Sequence, residues 1–159
     1  MRHRRHGAPP AVLKAAFAEL DRKRLRLEAA SPILASAPLG PSNRRYANAV
    51  AIVRTRLAPP ELLARLQGIE IQFGRRPGGA RWRARVLDLD LILWSGGAYA
   101  APDLVIPHPE FRKRAFVLAP ARKIAGPWRD PLTGLTIRHL HTRLTRPGPA
   151  LRAHSSRHP

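Results

Sequence analysis

The chain contains no cysteine, which excludes disulfides, thiolate metal sites, iron–sulfur clusters and a cysteine nucleophile together. Acidic residues are scarce: 10 Asp and Glu stand against 29 Lys and Arg, a formal net charge of +19 over 159 residues. Such a field attracts polyanions, so nucleic acids, nucleotides and acidic surfaces are the partner classes it admits. Lysine is itself rare, with only Lys14, Lys23, Lys113 and Lys123 present, so arginine makes up the rest. The accompanying wealth of alanine and proline looks like the bias of a GC-rich genome, a bland source for part of the excess charge. No apolar run approaches the roughly 18 residues of a membrane-spanning helix, and Lys14, Glu19 and Asp21 interrupt any signal-peptide core. The expectation is a single soluble domain, with residues 1–144 forming one core and 145–159 a disordered tail.

What is present reads as alternating helices and strands. Leu13, Phe17, Leu20 and Leu27 share one face of a helix predicted over about residues 10–29. A short strand is expected at 33–35, a turn at 38–43, and a strand within 46–55 around Val50, Ile52 and Val53. Pro59-Pro60 opens a second helix with Leu62, Leu66, Ile69 and Phe73 at helical spacing, ending at Gly74. Residues 75–85 form an arginine-crowded loop around Pro77 and Gly78-Gly79. Residues 86–94 alternate leucine with aspartate as a strand requires, and a glycine turn at 95–98 and a short apolar run at 104–106 follow. Arg114 and Phe116 are read on a strand edge, and Ile137, Leu140 and Leu144 as a last short helix. There is no internal repeat, and neither glycine pair has the spacing of a phosphate-binding motif. The class expected from this alternation is a two-layer α/β or α+β domain, a sheet with helices on one face.

On a strand, Asp88 and Asp90 point to the same face about 6.7 Å apart, while Leu87, Leu89 and Leu91 face the core. Two neighbouring carboxylates repel unless a cation holds them. A hard divalent ion such as Mg²⁺ takes carboxylate oxygens and leaves positions for water or phosphate. The bland alternative is a solvated sheet face neutralised by arginines. The adjoining Arg75, Arg81 and Arg85 weigh toward the first reading, because arginine forks beside magnesium carboxylates are what a polyphosphate needs. His108, stiffly held between two prolines, could donate to a phosphate; the commoner role of a lone histidine is a structural hydrogen bond. Tyr46, Asn48 and Phe116 would suit a flat heterocycle, with rings on its faces and an amide at its edge, although such rings more often belong to a core.

The run Arg81-Trp82, then Arg85-Val-Leu-Asp-Leu-Asp90, Ile106-Pro-His-Pro109 and Arg114-Ala-Phe-Val-Leu118 strongly resembles the 6-hydroxymethyl-7,8-dihydropterin pyrophosphokinases of folate biosynthesis. Tyr46-Ala-Asn-Ala-Val50 and Ile69-Glu-Ile-Gln-Phe-Gly-Arg75 extend the likeness, which covers roughly residues 36–125. The resemblance implies transfer of pyrophosphate from ATP to the pterin hydroxymethyl group, with release of AMP. It implies two Mg²⁺ ions on Asp88 and Asp90, phosphate neutralisation by Arg75 and Arg85, and Arg81 and Trp82 on a closing loop. It places His108 and Arg114 on ATP phosphates and Glu70 near the nucleotide. Tyr46 and Phe116 would sandwich the pterin, Asn48 would bond its edge, and backbone near Ser36 and Leu39 would complete the pocket. The implied fold is a ferredoxin-like antiparallel sheet with helices packed on it, and the implied state a monomer with no obligate nucleic acid.

The chain departs from that pattern at three places. Arg83-Ala84 stands where the family has Gly-Pro, and Pro77 where it often has arginine, so loop closure is expected to differ. The family also opens with an apolar strand ending in Gly-Ser-Asn, which residues 1–6 lack. The expectation is that Met1 is an internal start and that the first strand lies upstream. Two alternatives remain: an inactive family member, and a basic nucleic-acid-binding module, motivated by the charge.

Overall fold

A computed structural model describes residues 7–36, 46–74 and 86–147 of the chain. Pro9–Leu20 forms α1, with prolines in its first turn, where the fixed φ suits a helix and the missing N–H has no intrahelical partner to lose. Val12, Ala16 and Leu20 bury one face. The helix stops there and not at residue 29. Lys23 takes a positive φ, the Leu27 N–H donates to Asp21 Oδ1 at 3.0 Å, and Leu25–Ala30 continues as strand β1. Leu25, Leu27 and Ala29 alternate with exposed neighbours, a period of two that a helical placing of Leu27 conceals.

Strand β2 (Leu34–Ser36) pairs antiparallel with β3 (Tyr46–Asn48), Ser36 standing opposite Tyr46 and Leu34 opposite Asn48. β4 (Ala51–Thr55) pairs antiparallel with β1, from Leu25 opposite Thr55 to Ala30 opposite Ala51, with a bulge between Leu27 and Ala29. The one strand expected within 46–55 is therefore two. Val50 marks the break, its N–H donating to Ser31 Oγ at 2.9 Å and its carbonyl accepting from the Ser31 N–H at 2.8 Å. Pro59–Gln72 forms α2 as expected; the Glu61 carboxylate accepts the Ala58 N–H, and Gly74 turns the chain out with φ of 95°. Tyr99–Ala101 (β5) and Leu104–Ile106 (β6) make a third antiparallel pair.

Residues 115–118 are helical, not a strand edge. Ala115–Ala125 is α3, burying Val117, Leu118, Ala121 and Ala125, a helical spacing obscured in the sequence by Pro120. Ile137–Thr145 is α4, capped by the Thr136 hydroxyl accepting the His139 N–H at 3.1 Å. The described residues thus form a mixed α+β fold with four α-helices and three two-stranded antiparallel sheets. None of these helices is long and apolar enough to cross a membrane.

Residues 86–93 keep the expected alternation but not the expected ladder. Leu87 is buried, Leu89 and Leu91 are half-buried, and Asp88 and Asp90 are exposed. Among the described residues no strand pairs with them; the segment ends in an isolated bridge between Trp94 and Gly97. A ladder requires a neighbouring strand's donors and acceptors, and here other groups meet two of the segment's backbone groups. The Leu89 N–H donates to Glu70 Oε1 at 2.8 Å, and the Ile92 carbonyl accepts the His108 N–H at 3.0 Å. Apolar packing fixes the rest. Leu87 belongs to a core with Val12, Ala16, Leu20, Leu66, Ile69 and Phe73, against which Leu89 and Leu91 pack. Ile92 and Leu93 pack on a second core of Phe111, Val117, Leu118, Ala121, Ile137 and Leu140. One segment therefore spans both cores while presenting its aspartates outward.

An ion pair closes the second core. The single 3₁₀ turn Phe111–Lys113 sends the Arg112 guanidinium to the fully buried Asp130, Nε to Oδ2 at 2.7 Å and Nη2 to Oδ1 at 2.6 Å. The Leu132 N–H donates to Oδ1 at 3.1 Å and the Thr133 hydroxyl to Oδ2 at 2.6 Å, so both carboxylate oxygens are doubly used. Burial pushes the Asp130 carboxyl up, but the bonds from Arg112, Thr133 and Leu132 and the Arg112 charge together bring it below its ordinary 3.8. A lowered folded value means that its stabilising contribution is whole above the unfolded value and is lost as pH falls through the folded one. Acid titration of stability is thus expected to fall more steeply below about pH 4 in the native chain than in Asp130→Asn, as read by urea midpoints across pH 2 to 6. Parallel curves would remove Asp130 from the acid response.

Candidate active site

The exposed carboxylate of Asp90 is approached by two cationic or proton-donating groups from one later loop. His108 Nε2 lies 3.9 Å and Arg114 Nη1 3.8 Å from Asp90 Oδ2. Each is positioned by its backbone. The His108 N–H bonds to the Ile92 carbonyl, tying the loop to the aspartate segment two residues past Asp90. The Glu110 N–H donates to His108 Nδ1 at 3.1 Å, so a neutral ring carries its proton on Nε2, the nitrogen that faces Asp90. Arg114 is the N-cap residue of α3, and its carbonyl accepts the Val117 and Leu118 N–H groups at 3.0 Å. Its guanidinium also lies 5.8 Å from the centre of the half-exposed Phe116 ring.

Beneath this group sits Glu70, which is 3% exposed. Its place on the buried face of α2 lets Oε1 accept the N–H of Leu89, the residue between the two aspartates. In this structure Glu70 supports the backbone that carries Asp88 and Asp90. Loss of the acceptor would leave a part-buried N–H unpaired.

Tyr46 and Asn48 stand on β3, with Ser36 paired to Tyr46 across the hairpin. α3 packs against β2 and β3, so the helix that carries Phe116 in its first turn adjoins the strand that bears Tyr46 and Asn48. Tyr46 is 45% and Phe116 38% exposed, so both rings present surface for stacking. Leu39, Arg75, Arg81, Trp82 and Arg85, like Pro77, Arg83 and Ala84, lie outside the described residues.

Sequence reasoning missed Arg112 and Asp130, a bidentate pair whose arginine lies between His108 and Arg114. A signal existed: Asp130-Pro131 followed by Thr133-Gly134 is a turn pattern, and an aspartate there bonds the backbone two residues on.

The donor chemistry suits magnesium. Asp88 and Asp90 offer exposed hard oxygen donors on one face, and no group of three or more His, Cys, Asp or Glu ligands gathers among the described residues. Two carboxylates leave the remaining positions of an octahedral ion to water and phosphate oxygens, the arrangement usual for magnesium with nucleotides.

A family model described as 7,8-dihydro-6-hydroxymethylpterin-pyrophosphokinase matches residues 5–126. The chain is 41% identical over 113 residues to a Synechocystis protein named 2-amino-4-hydroxy-6-hydroxymethyldihydropteridine pyrophosphokinase, covering 71% of this chain and 57% of the relative. It is 44% identical over 107 residues to the Pseudomonas aeruginosa protein of the same name, covering 67% of this chain and 65% of that one. A mitochondrial folate synthesis bifunctional protein of Arabidopsis thaliana is 36% identical over 104 residues, 65% of this chain and 18% of its own length. The chain thus spans less than two thirds of the length of the first two relatives.

Proposed function

We propose, from the premise that this chain belongs to the 7,8-dihydro-6-hydroxymethylpterin pyrophosphokinase family, that it transfers the pyrophosphoryl group of ATP to 6-hydroxymethyl-7,8-dihydropterin in folate biosynthesis. The hydroxymethyl oxygen attacks the β-phosphorus, the bond between that phosphorus and the α,β-bridging oxygen breaks, AMP leaves, and the hydroxyl proton passes to solvent. The observation that supports this best is the convergence of His108 and Arg114 on Asp90 Oδ2 beside an exposed Phe116 ring. It joins a carboxylate for a metal, two donors for phosphate and a face for a flat heterocycle.

Asp88 and Asp90 would hold two Mg²⁺ ions, which when bound neutralise the phosphate oxygens and make the substrate hydroxyl more acidic. The remaining chemistry is alignment and charge neutralisation. His108 donates its Nε2 proton to a phosphate oxygen, and Arg114 donates through its guanidinium fork. Arg75 and Arg85 neutralise the transferring phosphates, and Arg81 and Trp82 close over them. Tyr46 and Phe116 stack on the pterin, Asn48 bonds its edge, and backbone at Ser36 and Leu39 completes that pocket. Glu70 serves the nucleotide site from below, by holding Leu89. We read the paired strands and residues 86–93 as parts of a ferredoxin-like sheet, residues 1–144 as one domain, and the protein as a cytoplasmic monomer.

Pterin-dependent formation of AMP from Mg-ATP tests the reading. One AMP per pterin diphosphate is expected, with none when either substrate or magnesium is withheld; AMP formed equally without the pterin would discard it.

A further inference from the structure

We propose that the Arg112–Asp130 pair is a positioning device for the nucleotide side of the site, holding His108 and Arg114 at their separation from Asp90; its kinetic consequence rests on the function proposed above. The stretch from His108 to Arg114 has to satisfy two demands at once. Both ends face one carboxylate oxygen, at 3.9 and 3.8 Å, and the chain between them makes a single 3₁₀ turn. Such a turn is short and poorly bonded by itself. Its internal hydrogen bonds are few and no shorter than 3.1 Å: Phe111 N–H to His108 carbonyl, Lys113 N–H to Glu110 carbonyl and Arg114 N–H to Phe111 carbonyl.

What fixes the turn comes from outside it. Phe111 is fully buried in the second core, and Arg112, the next residue, is clamped by the buried Asp130. The guanidinium also lies over the Phe111 ring at 4.7 Å, which joins the two anchors. Asp130 is a rigid post. Its backbone N–H bonds to the Leu135 carbonyl at 2.9 Å, its carbonyl accepts the Gly134 N–H at 2.8 Å, and its carboxylate takes four donors. An arginine fork on a carboxylate sets distance and direction together, which a lysine at the same place would not. Neither residue reaches the substrates in this scheme. They act through the two that do.

The test uses Asp130→Asn and the milder Arg112→Lys, which keeps the charge and removes the fork. Amide hydrogen exchange of the full chain is expected to lose protection at His108, Phe111, Lys113 and Arg114, with Val12, Ile69 and the rest of the first core unchanged. In turnover, KM for Mg-ATP is expected to rise about tenfold with the pterin KM changed less than about twofold, the signature of displaced phosphate contacts. Uniform loss of protection through both cores in both variants, or equal change in both KM values, would make the pair a general stabiliser and overturn the proposal. So would unchanged exchange and kinetics. The exchange measurement needs no turnover, so a wild-type chain that forms no AMP would overturn the enzymatic reading while the exchange pattern still decides the positioning role.

Discussion

Asp90→Asn is expected to lower pterin-dependent AMP formation on the order of a thousandfold, the scale seen when a group that stabilises transition-state charge is removed. Asparagine keeps the shape and one acceptor oxygen and loses the charge. The Asp90 side chain is 53% exposed and belongs to neither core, so stability should change by no more than about 0.5 kcal/mol. A second consequence separates an enzyme from a mere polyanion binder. Removing a carboxylate from beside His108 and Arg114 leaves those groups free to meet phosphate. Metal-free ATP should therefore bind the variant as well as or better than the native chain, while the gain in affinity on adding magnesium is lost. Turnover assays and calorimetric ATP titrations with and without magnesium read both effects. Retained magnesium-dependent turnover would mean that the metal is held elsewhere.

Phe111→Ala is expected to cost about 3 to 5 kcal/mol, the range for truncating a fully buried aromatic ring. Against a typical total of about 5 to 15 kcal/mol, that brings the folded state close to its limit. The ring has no exposed surface and packs with Val117, Leu118, Ile137 and Leu140, which come from the two helices α3 and α4. Those neighbours cannot readily close the gap, so most of the cavity would persist. The Arg112 guanidinium would also lose the ring beneath it. A shift of the urea midpoint with unchanged slope would measure the loss. A cost below about 1 kcal/mol would show that the second core repacks freely.

The legible parts of the sequence were those where one periodicity stood alone. α2 was readable because Pro59-Pro60 marks its start, four apolar residues repeat at helical spacing and Gly74 ends it. The outward faces of Asp88 and Asp90 were readable because alternation with leucine assigns faces whether or not a ladder forms. Errors arose where two periods overlapped. Leu27 falls on the stripe of α1 and lengthens it on paper, and only the turn at Lys23 and the pairing with β4 break the pattern. Phe116 and Leu118 alternate like a strand, but Val117, Leu118 and Ala121 share the buried side of a helix.

The amino-acid sequence by itself determined the chemical inventory. Absent thiols, a dominant positive charge, two aspartates on one face of an apolar segment and a family signature over most of the chain are properties of residue type and spacing. Tertiary structure alone decided which groups meet. Asp90 is 18 residues from His108 and 24 from Arg114, and Arg112 is 18 from Asp130. Their contacts depend on residues 86–93 lying across two cores and on a turn pinned between a buried ring and a buried carboxylate. Local spacing fixes only which face a side chain takes, whereas closing loops of that length is settled by burial and hydrogen bonding summed over the whole fold.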